Sequence, residues 1–198
     1  MTAVVALQRY GVLAVGVIAM VLAANSTGAQ TMPIAERIAQ CGSCHGEDGN
    51  SRLPDVPSLA GQPAFFVMNQ LFLMREGVRR IEVMTPIVKE LTDGDLDALS
   101  AHYAQLAPKA SDETIDPAMV KQGDALAQKL RCASCHLLTL AGQDQMPRLA
   151  RQRVDYLFST MKAMRDNQRP GTDTQMSSIV AGLSDADLTA LAHYSASR

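Results

Sequence analysis

The sequence predicts an all-α protein built from two tandem copies of one small unit. Three observations carry that expectation. The run Cys41-Gly42-Ser43-Cys44-His45 recurs as Cys132-Ala133-Ser134-Cys135-His136; residues 84–99 match residues 176–191 without a gap; and apolar residues recur at helical spacing, with no stretch alternating convincingly as a strand. Pro57-Ser58-Leu59-Ala60 likewise returns as Pro147-Arg148-Leu149-Ala150. Composition agrees, since 198 residues at 47% hydrophobic and 19% charged can bury a core, which excludes a disordered or collagen-like chain. With 4% aromatics, no Trp and a formal net charge of −2, the chain lacks both the stacking platform and the basic footprint of a nucleic-acid binder.

The elements follow in chain order. Residues 1–29 read as a signal peptide: Arg9 is their only charge, residues 11–24 form an apolar run, and Asn25-Ser26-Thr27-Gly28-Ala29 supplies small residues for cleavage. That run is shorter than the roughly 20 residues a spanning helix needs, and an uncleaved anchor extended by residues 4–7 is the alternative. The first unit covers residues 30–107 and the second 118–198. Residues 108–117 between them are polar, Pro-bounded and without helical periodicity, the composition of an exposed linker open to proteolysis.

Ile34, Ile38 and Ala39 lead into the first Cys motif at helix spacing, as Leu126, Ala127 and Leu130 lead into the second. A middle helix is expected over 64 to about 76, and its counterpart over 154 to about 166. Thr92 and Ser184, each followed three residues on by an aspartate, are expected to cap a last helix. Leu96 and Leu99 supply its buried stripe in one unit, Leu188 and Leu191 in the other.

Units this small bury too little apolar surface to be stable alone, so a staple is sought among the four cysteines. Export favours disulfides, and four thiolates would also suit zinc, but His, present only four times, follows both Cys pairs. Cys-x-x-Cys-His is the attachment sequence of c-type haem. Residues three and four apart share a helix face, so Cys41 and Cys44 can form thioethers while His45 turns its imidazole to the iron; Cys132, Cys135 and His136 can do the same. Two covalent haem c groups are therefore expected, each an apolar plate for an aromatic-poor unit to pack on.

The sixth iron position separates a carrier from an enzyme. Of eleven methionines, Met84 and Met176 superpose within the gapless match and are the candidate axial ligands, with packing as the alternative. Met68, Met74, Met161 and Met164 fall in apolar helical runs and read as core. His102 and His193, each beside a Tyr late in the last helix, read as surface residues.

Both Cys motifs, Gly46-Glu47-Asp48-Gly49-Asn50, Leu59-Ala60-Gly61-Gln62, and Val83-Met84-Thr85-Pro86 running into Leu91-Thr92-Asp93 together resemble dihaem cytochromes of the cytochrome c4 type. Each half resembles a small class I cytochrome c domain wrapped around one covalent haem c, and the resemblance covers nearly the whole exported chain. It implies His/Met ligation of both irons and single-electron carriage in the periplasm between redox partner proteins: a respiratory complex, an oxidase or a dehydrogenase. Membrane association would then be loose and through partners. It also implies that the carbonyls of Pro57 and Pro147 accept hydrogen bonds from the ligand imidazoles.

The second half departs from the pattern. Leu137-Leu138-Thr139-Leu140 stands where the first half has Gly46 and Gly49, and Arg151 where it has Gly61, so these leucines read as core or as an apolar docking surface. Two other functions remain open: a dihaem cytochrome subunit of a flavin or quinoprotein dehydrogenase, and a haem enzyme with a labile sixth ligand. Arg75, Arg79, Arg80, Arg165 and Arg169 flank the segments leading to the two methionines. Solvated helix ends account for most of them, and pairing with haem propionates for some.

Overall fold

Apolar periodicity and caps place the helices. In the computed structural model, which describes residues 32–171 and 174–198, the first half is α1 (Ile34–His45), α2 (Ala64–Arg75), α3 (Met84–Val88) and α4 (Asp93–Gln105). The second is α5 (Pro117–Lys129), α6 (Ala133–His136), α7 (Val154–Arg165), α8 (Thr174–Val180) and α9 (Asp185–Ala196). The expected signal peptide lies outside the described residues. Among these the only bridge pairing is an isolated one between Gln143 and Met146.

Helices α2 and α7 begin where expected and end within a residue of it. Both last helices open on complete capping boxes. Thr92 Oγ accepts from Asp95 N at 3.1 Å while the Asp95 carboxylate accepts from Thr92 N at 2.8 Å, and Ser184 and Asp187 repeat this at 3.1 and 3.0 Å. Behind the caps Leu96, Leu99, Leu188 and Leu191 are buried. Ser184→Ala, which leaves an N–H of the first turn unanswered, is expected to lower stability by about 1 kcal/mol. A denaturant midpoint that falls at constant slope would report it.

The halves differ in how the leading helix is held. Arg37 of α1 forms a buried ion pair with Asp95 of α4 at 3.1 Å. Helix α5 instead lies so close to α9 that a Cβ on Gly123 would come 2.1 Å from the Ala190 carbonyl oxygen. The first Cys motif is the end of α1, but the second is not continuous with α5. Arg131 adopts φ 57°, ending that helix as left-handed residues do, and α6 is a separate turn.

The leucine-bearing loop keeps the path of its glycine-bearing counterpart. Leu137 and Leu140 take φ 68° and 54° where Gly46 and Gly49 take 84° and 72°. The backbone hydrogen bonds are conserved too: Leu59 and Ala60 donate to Gly49 O, and Leu149 and Ala150 donate to Leu140 O. Leu140 is fully buried and Leu138 is 83% exposed, so one leucine of the run is core and another is surface. Non-glycine residues at these angles store strain, which core burial of Leu140 helps to offset.

The linker is anchored rather than loose. Lys109 N donates to Asn50 Oδ1 at 2.7 Å, Val154 N to Glu113 Oε2 at 2.7 Å, and Arg153 pairs with Asp112 at 2.9 Å. The two halves also meet directly through a reciprocal pattern. Gln152 pairs with both backbone groups of Ser58 at 2.8 Å, and Gln62, its counterpart, pairs with both of Arg148, the counterpart of Ser58, at 3.0 and 2.9 Å. All four residues are buried, and residues 32–198 form one compact unit.

Candidate haem sites

Each candidate site is organised by a histidine at a helix end. His45 closes α1 and His136 closes α6, both buried, with Nδ1 2.8 Å from the carbonyl oxygens of Pro57 and Pro147 respectively. A carbonyl only accepts, so Nδ1 carries the proton and Nε2 keeps its lone pair. Burial pushes both imidazoles below the usual histidine range against the opposing pull of the carbonyl, which favours the neutral, ligating form. His136 Nε2 is buried with no partner in the protein. A buried polar atom left this way marks the place of a group the polypeptide does not supply.

The cysteines fit the same reading. None of the four forms a disulfide, and among the described residues no three His, Cys, Asp or Glu converge on a common point, so neither a disulfide framework nor a zinc site has its geometry. Burial raises the Cys41 and Cys132 thiols.

A cavity of about 460 Å³ collects Cys132, Cys135, His136 and Met176. Met146, Met161 and Met164 line it too, so the methionines expected to be core in α7 face this space. An unmatched imidazole nitrogen, two thiols and a thioether around one apolar cavity form a donor set suited to a covalently attached haem. In the first half, Met84 opens α3 and packs half-buried against the cluster of Met74, Val88, Leu91 and Leu99 that also receives Cys41. Cys44 is exposed.

The rival imidazoles are not solvated as expected. His193 is half-buried, and its Nδ1 accepts from Asp116 N at 3.2 Å, holding the linker. His102 stands edge-to-face on Tyr103 at 5.1 Å with Nε2 buried. Two features lay beyond sequence reasoning. Phe66, Asn69, Gln70 and Leu73 of α2 wall the second half's cavity from across the seam, and buried Arg79 donates to Gln70. Nothing local in the sequence shows that α2 faces the other half.

Two Cys-x-x-Cys-His turns, each with a neutral imidazole fixed by a proline carbonyl and set in a helical unit, define a dihaem c-type cytochrome with class I cytochrome c domains. The cytochrome c family model matches residues 120–197. Cytochrome c4 of Pseudomonas aeruginosa is 34% identical over 169 residues, covering 80% of this chain and 83% of that protein. The crystal structure of reduced recombinant cytochrome c4 from Pseudomonas stutzeri matches with a TM-score of 0.75 at 31% identity, covering 81% of this chain and 94% of that one. The thiosulfate dehydrogenase electron acceptor of Thiomonas intermedia is 29% identical over 204 residues, covering 94% and 90%. The chain belongs to the cytochrome c4 family. It is an electron-transfer protein carrying two covalent haem c groups, a carrier and not an enzyme.

Proposed function

We propose that this chain is a periplasmic carrier passing single electrons between respiratory proteins, with His45 and Met84 ligating one iron and His136 and Met176 the other. Cys41, Cys44, Cys132 and Cys135 make the thioether bonds. The observation that carries this is the second cavity, in which His136 offers an unmatched nitrogen and Met176 a thioether. When bound, the haems supply iron that alternates between ferric and ferrous. The Pro57 and Pro147 carbonyls hold each imidazole in one tautomer, and the methionines close the irons to small molecules. The organisation is that of a cleaved leader over residues 1–29, units over 30–107 and 118–198, and the tie over 108–117. No helix among the described residues is long and apolar enough to cross a membrane.

The relatives named as thiosulfate dehydrogenase electron acceptors support a dehydrogenase as one redox partner. Val83, 68% exposed beside Met84, and Leu138, beside the second Cys motif, offer such a partner an apolar contact in each half. The test uses protein exported from a host with haem c maturation. Mass spectrometry of acid-denatured protein should show two haem additions and the loss of residues 1–29, and resting protein at neutral pH should bind neither cyanide nor carbon monoxide. A single haem addition or ready ligand binding would favour the haem-enzyme reading instead.

A further inference from the structure

Helices α2 and α7 are counterparts in the repeat, but their outer faces differ. Phe65 and Phe72 of α2 are 46% and 45% exposed. Their counterparts in α7 are Asp155 and Lys162, both ion-paired. Lys162 Nζ lies 5.7 Å from the centroid of the Phe158 ring and pairs with Asp185 at 2.6 Å, so one lysine spans the junction of α7 and α9.

The first half has no such cation. At the positions of Phe158, Lys162 and Asp185 stand Met68, Phe72 and Asp93. What remains between α2 and α4 is a groove of about 280 Å³, with Phe65, Met68, Phe72 and Leu96 as its apolar surface and Asp93 and Asp97 as its acidic side. Residues seven apart share a helix face, so Phe65 and Phe72 form one patch rather than scattered exposed side chains. The charges are unbalanced as well. Arg75, the counterpart of Arg165, pairs with Glu76 and Asp93, as Arg165 pairs with Asp166 and Asp185. Asp97 stands where the second half has Thr189, is exposed, and forms no ion pair among the described residues. Compared with its counterpart, the groove lacks the Lys162 cation and gains the Asp97 carboxylate.

We propose that the α2–α4 groove of the first half is a docking site for a protein partner that inserts a lysine or arginine flanked by an apolar side chain. The partner's cation takes the place that Lys162 fills within the second half. Asp93 and Asp97 receive it, and Phe65 and Phe72 enclose the apolar side chain. A second copy of this chain is a poorer occupant, because a twofold contact through this face brings two acidic-sided grooves together. An anionic bilayer surface is repelled by the same carboxylates. All the residues of the site belong to α2 and α4, so it does not depend on how the irons are ligated.

The experiment is photocrosslinking of the mature two-haem protein in its native host, with a benzophenone amino acid placed at Phe65, at Phe72 or, as the control, at Lys162. Mass spectrometry should find one partner protein joined at the first two positions and not at the third, through a segment in which Lys or Arg adjoins an apolar residue. With that partner purified, adduct yield should fall as salt rises. Phe72→Lys supplies the missing cation from within the chain and should cut the adduct formed at Phe65 about tenfold, as loss of a buried aromatic anchor does. Asp97→Lys should reduce it through charge reversal, and Lys162→Gln should leave it unchanged. Haem content and the ferric thioether bands report the carrier reading separately, and its failure would leave the adducts in place. Adducts only with a second copy of this chain or with lipid, equal adducts from position 162, a joined segment without a basic residue, or no adduct at all would each overturn the proposal. Should Phe72→Lys not mature, Asp97→Lys decides alone, and an undiminished yield counts against the docking site.

Discussion

Met176→Ala is expected to lower the potential of the second haem by on the order of 0.1–0.3 V, part of the roughly 0.8 V that axial ligands span, and to open it to carbon monoxide. The first haem should keep its potential and its ferric thioether band. The reason is chemical: a thioether is a soft ligand that favours ferrous iron, and alanine leaves the position to water. Position supports the choice of Met176, which lies in the first turn of α8 at the repeat position that Met84 holds at the start of α3. The cavity alone does not single it out, because Met146, Met161 and Met164 line it as well. Met164 even has a methionine counterpart in Met74, but Met74 is buried in the core cluster of its half with Val88 and Leu96. Met164→Leu is therefore the paired measurement. It should leave both thioether bands intact, and loss of a band there, with Met176→Ala silent, would move the ligand to α7.

The contrast between those residues shows where the sequence was readable. Chemistry confined to one turn was legible: Cys41, Cys44 and His45 lie within a helical repeat of one another, and so do Cys132, Cys135 and His136. Register within the repeat singled out Met84 and Met176 as candidate ligands, while the proline carbonyls, which lie 2.8 Å from His45 and His136, came from the family resemblance. The capping boxes at Thr92 and Ser184 were legible for the same local reason. Backbone angle was not. Leu137 and Leu140 hold left-handed conformations that glycine ordinarily signals, so the sequence of the loop diverges while its path and hydrogen bonds are those of residues 46–49. Arg131 ends α5 in the same unannounced way.

What most escaped the sequence were contacts between the halves. Nothing in the local pattern of Gln62, Ser58, Arg148 or Gln152 says that each amide pairs with the backbone of the opposite unit. The consequence is mechanical as well as stabilising. Ser58 follows Pro57 and Arg148 follows Pro147, so the residues gripped across the seam adjoin the carbonyls that orient His45 and His136. Each half thereby helps to fix the imidazole of the other. The linker composition predicted independent units, whereas Asn50, Glu113, Arg153 and His193 tie that segment down along most of its length.

Gly123→Ala is expected to destabilise the protein by about 2–4 kcal/mol, the upper range for overpacking, although the same change on an exposed helix face would stabilise by up to about 1 kcal/mol. The sign reverses because the added Cβ would lie 2.1 Å from the Ala190 carbonyl oxygen and 2.6 Å from the Tyr194 Cβ. Most of what it meets is the α9 backbone, which no rotamer change can clear, so the two helices must move apart. They frame the second cavity: Ala127 and Leu130 line it from the α5 side, and Leu191, Tyr194 and Ser195 from α9. Separation of the helices therefore loosens the cavity wall as well as the core. At roughly 2–4 °C per kcal/mol for a unit of this size, the melting temperature should fall by about 5–15 °C. The ferric thioether band of the second haem should weaken on heating before that of the first. A melting temperature that rises in Gly123→Ala, with both bands lost together, would show that α5 and α9 do not meet at this glycine.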